Sequence, residues 1–353
     1  MLLSKGLVLG SQTQLDELLE RGLYVELGLF ETHFRSVSAP PLEAIEQKFD
    51  PFLIRGSMRL SLNRLLHSLI DALANSVQLL EFAGHVQDYA NKDVEAAIAA
   101  CLLDRQEESR AAAHSLSCAI LCSLLAKRLG WPEERQRSLV CAALTMNLGM
   151  LDLQQRLLRQ ATPLTPAQLE QVHAHPEAAL AALTNVGVND SIWREAVRQH
   201  HEKPGGKGYP QRLNEPAEEG QLLRLVDVFF ARASARADRS PLPPAQIVRA
   251  LFVEDGQGVC ASLVACLVKM IGIYPPGSFV KLANGEIGVV FRNGETQKTP
   301  VVASVTNASG IPLMQPVRRD TSREAFVISG TVGSDKVSVG YDLGKLWITN
   351  AHH

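Results

Sequence analysis

From Met58 to Leu80 apolar residues recur at helical spacing, at Leu62, Leu66, Leu69, Leu73 and Leu80. Steps of three and four put them on one stripe of a long helix. The stripe suits packing within the helix's own bundle, slightly ahead of a homodimer seam through residues 58–80, since it sustains only about three heptads. Residues 92–273 continue as helices with short breaks. Gly130 stops one helix and Pro132 starts the next. Thr165-Pro166-Ala167-Gln168 reads as a capped helix start, and Pro176 is expected to end that helix just after His175. At Phe279 the period changes from helical to alternating. Asn284-Gly285 is a strong hairpin signal, with Ile287 to Phe291 as the return strand. Asn293-Gly294 marks another turn. Val301 to Val305, Ala325 to Ile328 and Val337 to Val339 are further strand candidates. Ahead of all this, residues 1–40 mix short strand and helix signals and end at Pro40-Pro41.

The pattern predicts a mainly α protein: a small α/β unit over 1–40, a helical linker or bundle over 41–103, a helical domain over 104–273 and a β-rich module over 274–353. Composition agrees with a soluble globular chain, with 46% hydrophobic and 20% charged residues in 353. The net charge of −2 argues against nucleic acid as a partner. The longest apolar run, Val259 to Tyr274, carries Lys269 and is too short for a bilayer, so no membrane anchor is expected. Six cysteines, Cys101, Cys118, Cys122, Cys141, Cys260 and Cys266, form no Cys-x-x-Cys pair. Most fall in apolar helical runs, where Cys packs as a small core residue. A reducing cytoplasm is the expected setting.

Candidate chemistry is concentrated in the helical domain. His200 and His201 close a helical run, and Glu202 to Pro210 follow as a loop with three glycines and two prolines. Adjacent imidazoles are good metal ligands. His114, His173, His175 and Asp227 complete the set of potential ligands.

These residues stand in an order that resembles the HD-GYP family of bacterial cyclic di-GMP phosphodiesterases. The resemblance covers about residues 104–273. It rests on His114-Ser115, His175-Pro176, His200-His201-Glu202 with Gly208-Tyr209-Pro210, and Val226-Asp227-Val228-Phe229. Residues 271–290 are similar to an extension found in many members, and residues 5–25 to a small N-terminal unit of one branch. The resemblance implies an HD-type helical bundle cradling two or three divalent ions. It makes His114, His175, His200, His201 and Asp227 metal ligands. Arg236 and Arg239 take the spacing of the family's nucleotide-binding cations. The loop residues Lys203, Lys207, Gly208, Tyr209 and Pro210 correspond to a surface implicated in contacts with GGDEF-type diguanylate cyclase domains.

The sequence departs from the family at its eponymous His-Asp doublet, where it has Met146-Asn147. Met150 replaces a phosphate-binding lysine, Arg110 a ligand glutamate, and Gly205 a loop aspartate. A bridging carboxylate gives two anionic oxygens to two cations, whereas Asn147 gives one neutral carbonyl. Met146 is a soft thioether, poor for hard divalent ions. The expectation is therefore no intact catalytic centre, and either no metal or one ion of iron, manganese or zinc. Two readings follow. One is a non-catalytic adaptor or effector in cyclic di-GMP signalling that works through protein contacts. The other is a phosphodiesterase with a reduced metal site.

Overall fold

The computed structural model describes residues 49–104, 109–237, 239–255 and 259–348. The unit expected over 1–40, including the segment 5–25, lies outside the described residues.

The helical part runs from α1 (Pro51–Ile70) through α2 (Ser76–Lys92), α3 (Val94–Leu103), α4 (Arg110–Arg128), α5 (Glu133–Thr145), α6 (Leu151–Leu157), α7 (Pro166–Asn185), α8 (Ser191–Gln199), α9 (Glu218–Ala233) and α10 (Pro244–Asp255) to α11 (Val259–Ile271). Helix α4 is the axis of the bundle, buried from Ala111 to Ala126 over most of its length. Its small residues, among them Ala112, Ala119 and Cys122, let α1, α2, α5 and α9 approach it closely. Local signals set the ends. The Asp50 carboxylate accepts from the first-turn amides of Phe52 and Leu53 at 3.0 and 2.9 Å. Thr165 and Gln168 make the expected capping box at the start of α7.

The helix expected across Met58 to Leu80 is two helices. Ala72 takes a left-handed conformation at φ 55°, and Asn75 caps the new helix through the Val77 amide. Leu62, Leu66 and Leu69 are buried in the bundle's own core, while Leu73 sits exposed in the break. Pro176 does not end α7, which continues to Asn185; neighbouring packing holds the turns on either side of it.

The C-terminal part is a five-stranded antiparallel sheet in the order β4-β3-β2-β1-β5, with β1 Phe279–Leu282, β2 Ile287–Arg292, β3 Val301–Thr306, β4 Pro312–Asp320 and β5 Ile328–Val332. Asn284-Gly285 turns β1 into β2, and Gly285 has φ +91° as that turn requires. Strand β4 has no sequence signal, because it lies at the sheet edge, carries Pro312 and Pro316, and is largely exposed. The expected strand at Val337 to Val339 is not one. It follows a 3-10 turn at Ser334–Lys336, and Val337 drops into the core beneath the sheet. Ala325 and Phe326 likewise belong to a 3-10 turn ahead of β5.

The sheet does not stand apart. Phe279, Val289, Phe291, Ala303 and Trp347 pack on Ala96 and Ala99 of α3. Arg292 grips Asp93 through two nitrogens, at 2.7 and 2.8 Å, and reaches Glu95 at 3.1 Å. A bidentate guanidinium–carboxylate pair fixes orientation as well as proximity.

Candidate metal centre

Two groups of potential ligands face the interior of the bundle: His175, His200 and His201, and His114, Cys118 and Asp227. Each group's ligand atoms lie within 4.8 Å of one another.

The first group is oriented by carbonyls that the helices themselves leave over. In α7 the Val172 carbonyl would normally accept from residue 176, but Pro176 has no N–H. His175 Nδ1 donates to it instead, at 2.5 Å. In α8, which ends at Gln199, His200 Nδ1 donates to the Val197 carbonyl at 2.6 Å. A carbonyl only accepts, so Nδ1 carries the proton in both rings. Burial, and next to it the neighbouring His200 ring, push His175 down to about 3. Burial likewise lowers His200 and His201. All three rings are therefore neutral near pH 7.

The consequence is a pair of Nε2 lone pairs facing each other, 3.0 Å apart between His175 and His200. Two acceptors at that distance repel unless a cation lies between them. Histidines that donate one nitrogen to a backbone carbonyl and aim the other inward have the arrangement of metal ligands. The residues fit a divalent ion held by His175, His200 and His201. His173 is outside this group, exposed, with its ring against Tyr209 at 4.6 Å between centroids. Adding manganese at a hundredfold excess over its dissociation constant should stabilise the protein by about 2.7 kcal/mol. Thermal melts should show this shift in wild type and His173→Ala and not in His175→Ala; a shift retained in His175→Ala would refute the ligand assignment.

The second group joins α4 to α9. His114 Nε2 meets Asp227 Oδ1 at 2.7 Å, and Cys118 Sγ lies 3.6 Å from the same nitrogen. Burial opposes ionisation of Asp227, but the hydrogen bond from His114 and the electrostatic influence of the surrounding imidazoles outweigh it and hold the carboxyl far below the usual carboxylate range.

Both groups border a cavity of about 460 Å³, which His114, His201, Tyr209 and Asp227 reach directly. Asn147 also lines it, on the turn after α5. That turn lies hard against α7: a side chain at Gly149 would come within 2.4 Å of the His175 carbonyl, so the close approach requires glycine. Met146 points the other way, fully buried in the apolar core. Met150 is on the cavity wall. Arg110 is on the wall too, and its guanidinium donates to the Ala235 carbonyl. Arg236 lines the cavity, whereas Arg239 turns its guanidinium to the Ala231 carbonyl at 2.5 Å.

The glycine-rich loop is built around Glu202. Its carboxylate is fully buried and accepts from the amides of Gln211, Arg212 and Leu213 at 2.6, 3.0 and 3.0 Å. Gly208 passes so close to Lys203 that a Cβ would lie 2.3 Å from its nitrogen. Folded back in this way, the loop turns Tyr209 inward, where its ring stacks on His201 at 4.6 Å. Gly208 and Pro210 are half-buried; Lys203 and Lys207 are exposed.

Several cavity residues escape sequence reasoning. Arg55, from α1, is 3% exposed, pairs with Asp104 and donates to Ser117 Oγ at 2.7 Å. Its signal lay in the helical stripe, which extends upstream from Leu62 through Arg59 to Arg55. Ser334 and Asp335 enter the wall from the sheet module, and no local pattern marks them.

Comparison with known proteins agrees with this architecture. A family model described as an HD domain matches residues 96–257. Over 240 residues the chain is 27% identical to a cyclic di-GMP phosphodiesterase of Pseudomonas aeruginosa, covering 66% of this chain and 55% of that protein. Over 131 residues it is 30% identical to 3'3'-cGAMP-specific phosphodiesterase 1 of Vibrio cholerae, covering 36% of this chain and 30% of that one. The chain thus spans about half the length of the first relative and under a third of the second. Among solved structures, an HDG"Y"P protein from Bdellovibrio bacteriovorus has the same fold, with a TM-score of 0.50 at 16% identity over 64% of this chain and 74% of that one. No helix among the described residues is long and apolar enough to cross a membrane. The HD-domain match spans all five candidate ligands that the sequence pattern singles out, from His114 to Asp227, so residues 96–257 are similar to an HD domain of the kind found in cyclic dinucleotide phosphodiesterases.

Proposed function

We propose that this protein binds a cyclic dinucleotide, cyclic di-GMP first among them, and signals by contact rather than by turnover. The observation that carries the reading is the geometry at Met146-Asn147. Met146 is buried in apolar core and is not available to an ion, and Asn147 presents a neutral amide to the cavity. An ion held by His175, His200 and His201 would supply Lewis acidity toward a phosphodiester. With no carboxylate at residue 147 to bridge it to a second ion, hydrolysis loses its principal support. The cavity keeps the means of binding: Arg236 and Arg110 on its wall suit phosphate, and Leu102, Leu157 and Phe230 give apolar surface for bases. Names of relatives support the ligand class, since those in P. aeruginosa and Thermotoga maritima are called cyclic di-GMP phosphodiesterases.

The contact surface in this reading is the outer side of the loop Lys203 to Pro210. Lys203 and Lys207 offer exposed positive charge to an acidic partner such as a GGDEF-type domain. Tyr209 faces the cavity and holds the loop from within.

A second reading, a metal-dependent phosphodiesterase with a reduced site, is favoured by the survival of two ligand groups on one cavity. Purified protein given cyclic di-GMP with manganese or iron separates the two. The expected result is saturable binding, weakened by Arg236→Ala, without linear dinucleotide or GMP. Product forming at the rate of an intact family member would establish the second reading instead.

A further inference from the structure

We propose that Cys118 is a metal ligand, and that His114, Cys118 and Asp227 form a thiolate site that takes zinc in preference to manganese or iron. The proposal goes beyond the signalling reading and does not depend on any nucleotide.

The placement comes first. His114 and Cys118 are one turn apart on α4, so they share a face. Asp227 meets that face from α9. His114 Nε2 is 3.6 Å from Cys118 Sγ and 2.7 Å from Asp227 Oδ1. Zinc binds nitrogen at about 2.0–2.1 Å and sulfur at about 2.3 Å, so tetrahedral N and S ligands lie about 3.5 Å apart. The nitrogen–sulfur spacing thus already has the span of one ion. The shorter His114–Asp227 contact is a hydrogen bond that an entering cation would replace.

Charge comes second. A bridging carboxylate would add one negative charge to that of Asp227. Asn147 adds none. A Cys118 thiolate restores the lost charge directly behind His114, which lines the cavity, and with Asp227 it neutralises a dication. On binding, the thiol proton passes to solvent, the proton that His114 Nε2 shares with Asp227 moves to Nδ1 or to solvent, and the freed sulfur and nitrogen lone pairs go to the ion. Soft thiolate also changes the selectivity, from the hard ions favoured by carboxylate and water towards zinc. Three protein ligands with the remaining position turned to a cavity is the arrangement of a zinc site open to a ligand.

Position separates Cys118 from the other cysteines. All six are buried and unbridged. Among the described residues Cys118 is the one grouped with a histidine and a carboxylate. Cys122, one turn further along α4, has no part in such a group. On packing alone the two are equivalent small core residues, and the histidine–aspartate pair distinguishes them.

The test uses the full chain stripped of metal and titrated with cobalt(II) alone. Coordination by thiolate gives a near-ultraviolet sulfur-to-cobalt charge-transfer absorption. Wild type, Cys122→Ser and His175→Ala should show it, and Cys118→Ser and Cys118→Ala should not. Competition with zinc should show at least tenfold weaker zinc binding in Cys118→Ser, with manganese binding little changed. Melting curves of both Cys118 variants confirm that they are folded. Absence of the band in wild type, or its survival in a folded Cys118 variant, overturns the proposal. Neither outcome bears on cyclic di-GMP binding, so this proposal and the functional reading stand or fall separately.

Discussion

Metal-free protein is expected to lose stability steeply as the pH falls below about 6.5, the ordinary pKa of histidine. The cause is the pair of facing lone pairs and their neighbour. In the unfolded chain His175, His200 and His201 each take up a proton near that pH. In the native chain burial keeps them neutral to lower pH, down to about 3 for His175. The unfolded state then binds more protons than the native one, so native stability is complete above pH 6.5 and declines on acidification until the folded rings protonate. A histidine whose native ring stays neutral contributes at most about 1.4 kcal/mol per pH unit below its unfolded value. Asp227, held low in the native state, adds a further loss below about pH 4. Urea midpoints at pH 7, 6 and 5 in the presence of a chelator measure the effect. A midpoint constant across that range would show that the rings are solvated and that no cation is needed between them.

Restoring the doublet is expected to have the other large effect. Met146→His with Asn147→Asp should raise divalent-ion occupancy and raise turnover of cyclic di-GMP by orders of magnitude over the wild-type level. The two substitutions act differently. Asn147 already faces the cavity, so an aspartate there brings its charge directly to the ligand groups. Met146 is in the apolar core, so a histidine there should cost about 1–3 kcal/mol of stability, and the gain in ion occupancy should come mainly from Asn147→Asp. Arg110→Glu and Met150→Lys should add to activity only with the doublet present, because residues around one site act non-additively. Metal analysis and product formation on the double and quadruple variants give the answer. Unchanged ion content in the double variant would mean that residue 147 does not reach the metals.

The sequence showed the chemistry more fully than the fold that positions it. The helical bundle and the β1–β2 hairpin were legible because stripe, cap and Asn-Gly signals act locally. His114, His175, His200, His201 and Asp227 were legible as candidate ligands, whereas Cys118 was not, because its place beside His114 and Asp227 depends on the packing of α4 on α9. Pro176 shows how a local rule misleads: read alone it stops a helix, but within α7 it frees the carbonyl that aims His175. Tyr209 shows the same for exposure. A glycine-rich loop suggests an outward tip, yet the buried Glu202 carboxylate draws the loop back and turns the ring inward. Edge strand β4 was illegible because its prolines and exposed residues resemble a loop, and Ser334 and Asp335 because only the docking of the sheet brings them to the cavity.

That docking sets where the protein can be cut. The HD-domain match begins at residue 96 and ends at 257, but the cavity wall takes Arg55 from before that span and Ser334 and Asp335 from after it. A fragment trimmed to the matched domain would lose lining residues from both ends of the chain. The matched domain and the full cavity lining are therefore different objects, and the lining draws on residues from α1 to the turn after β5.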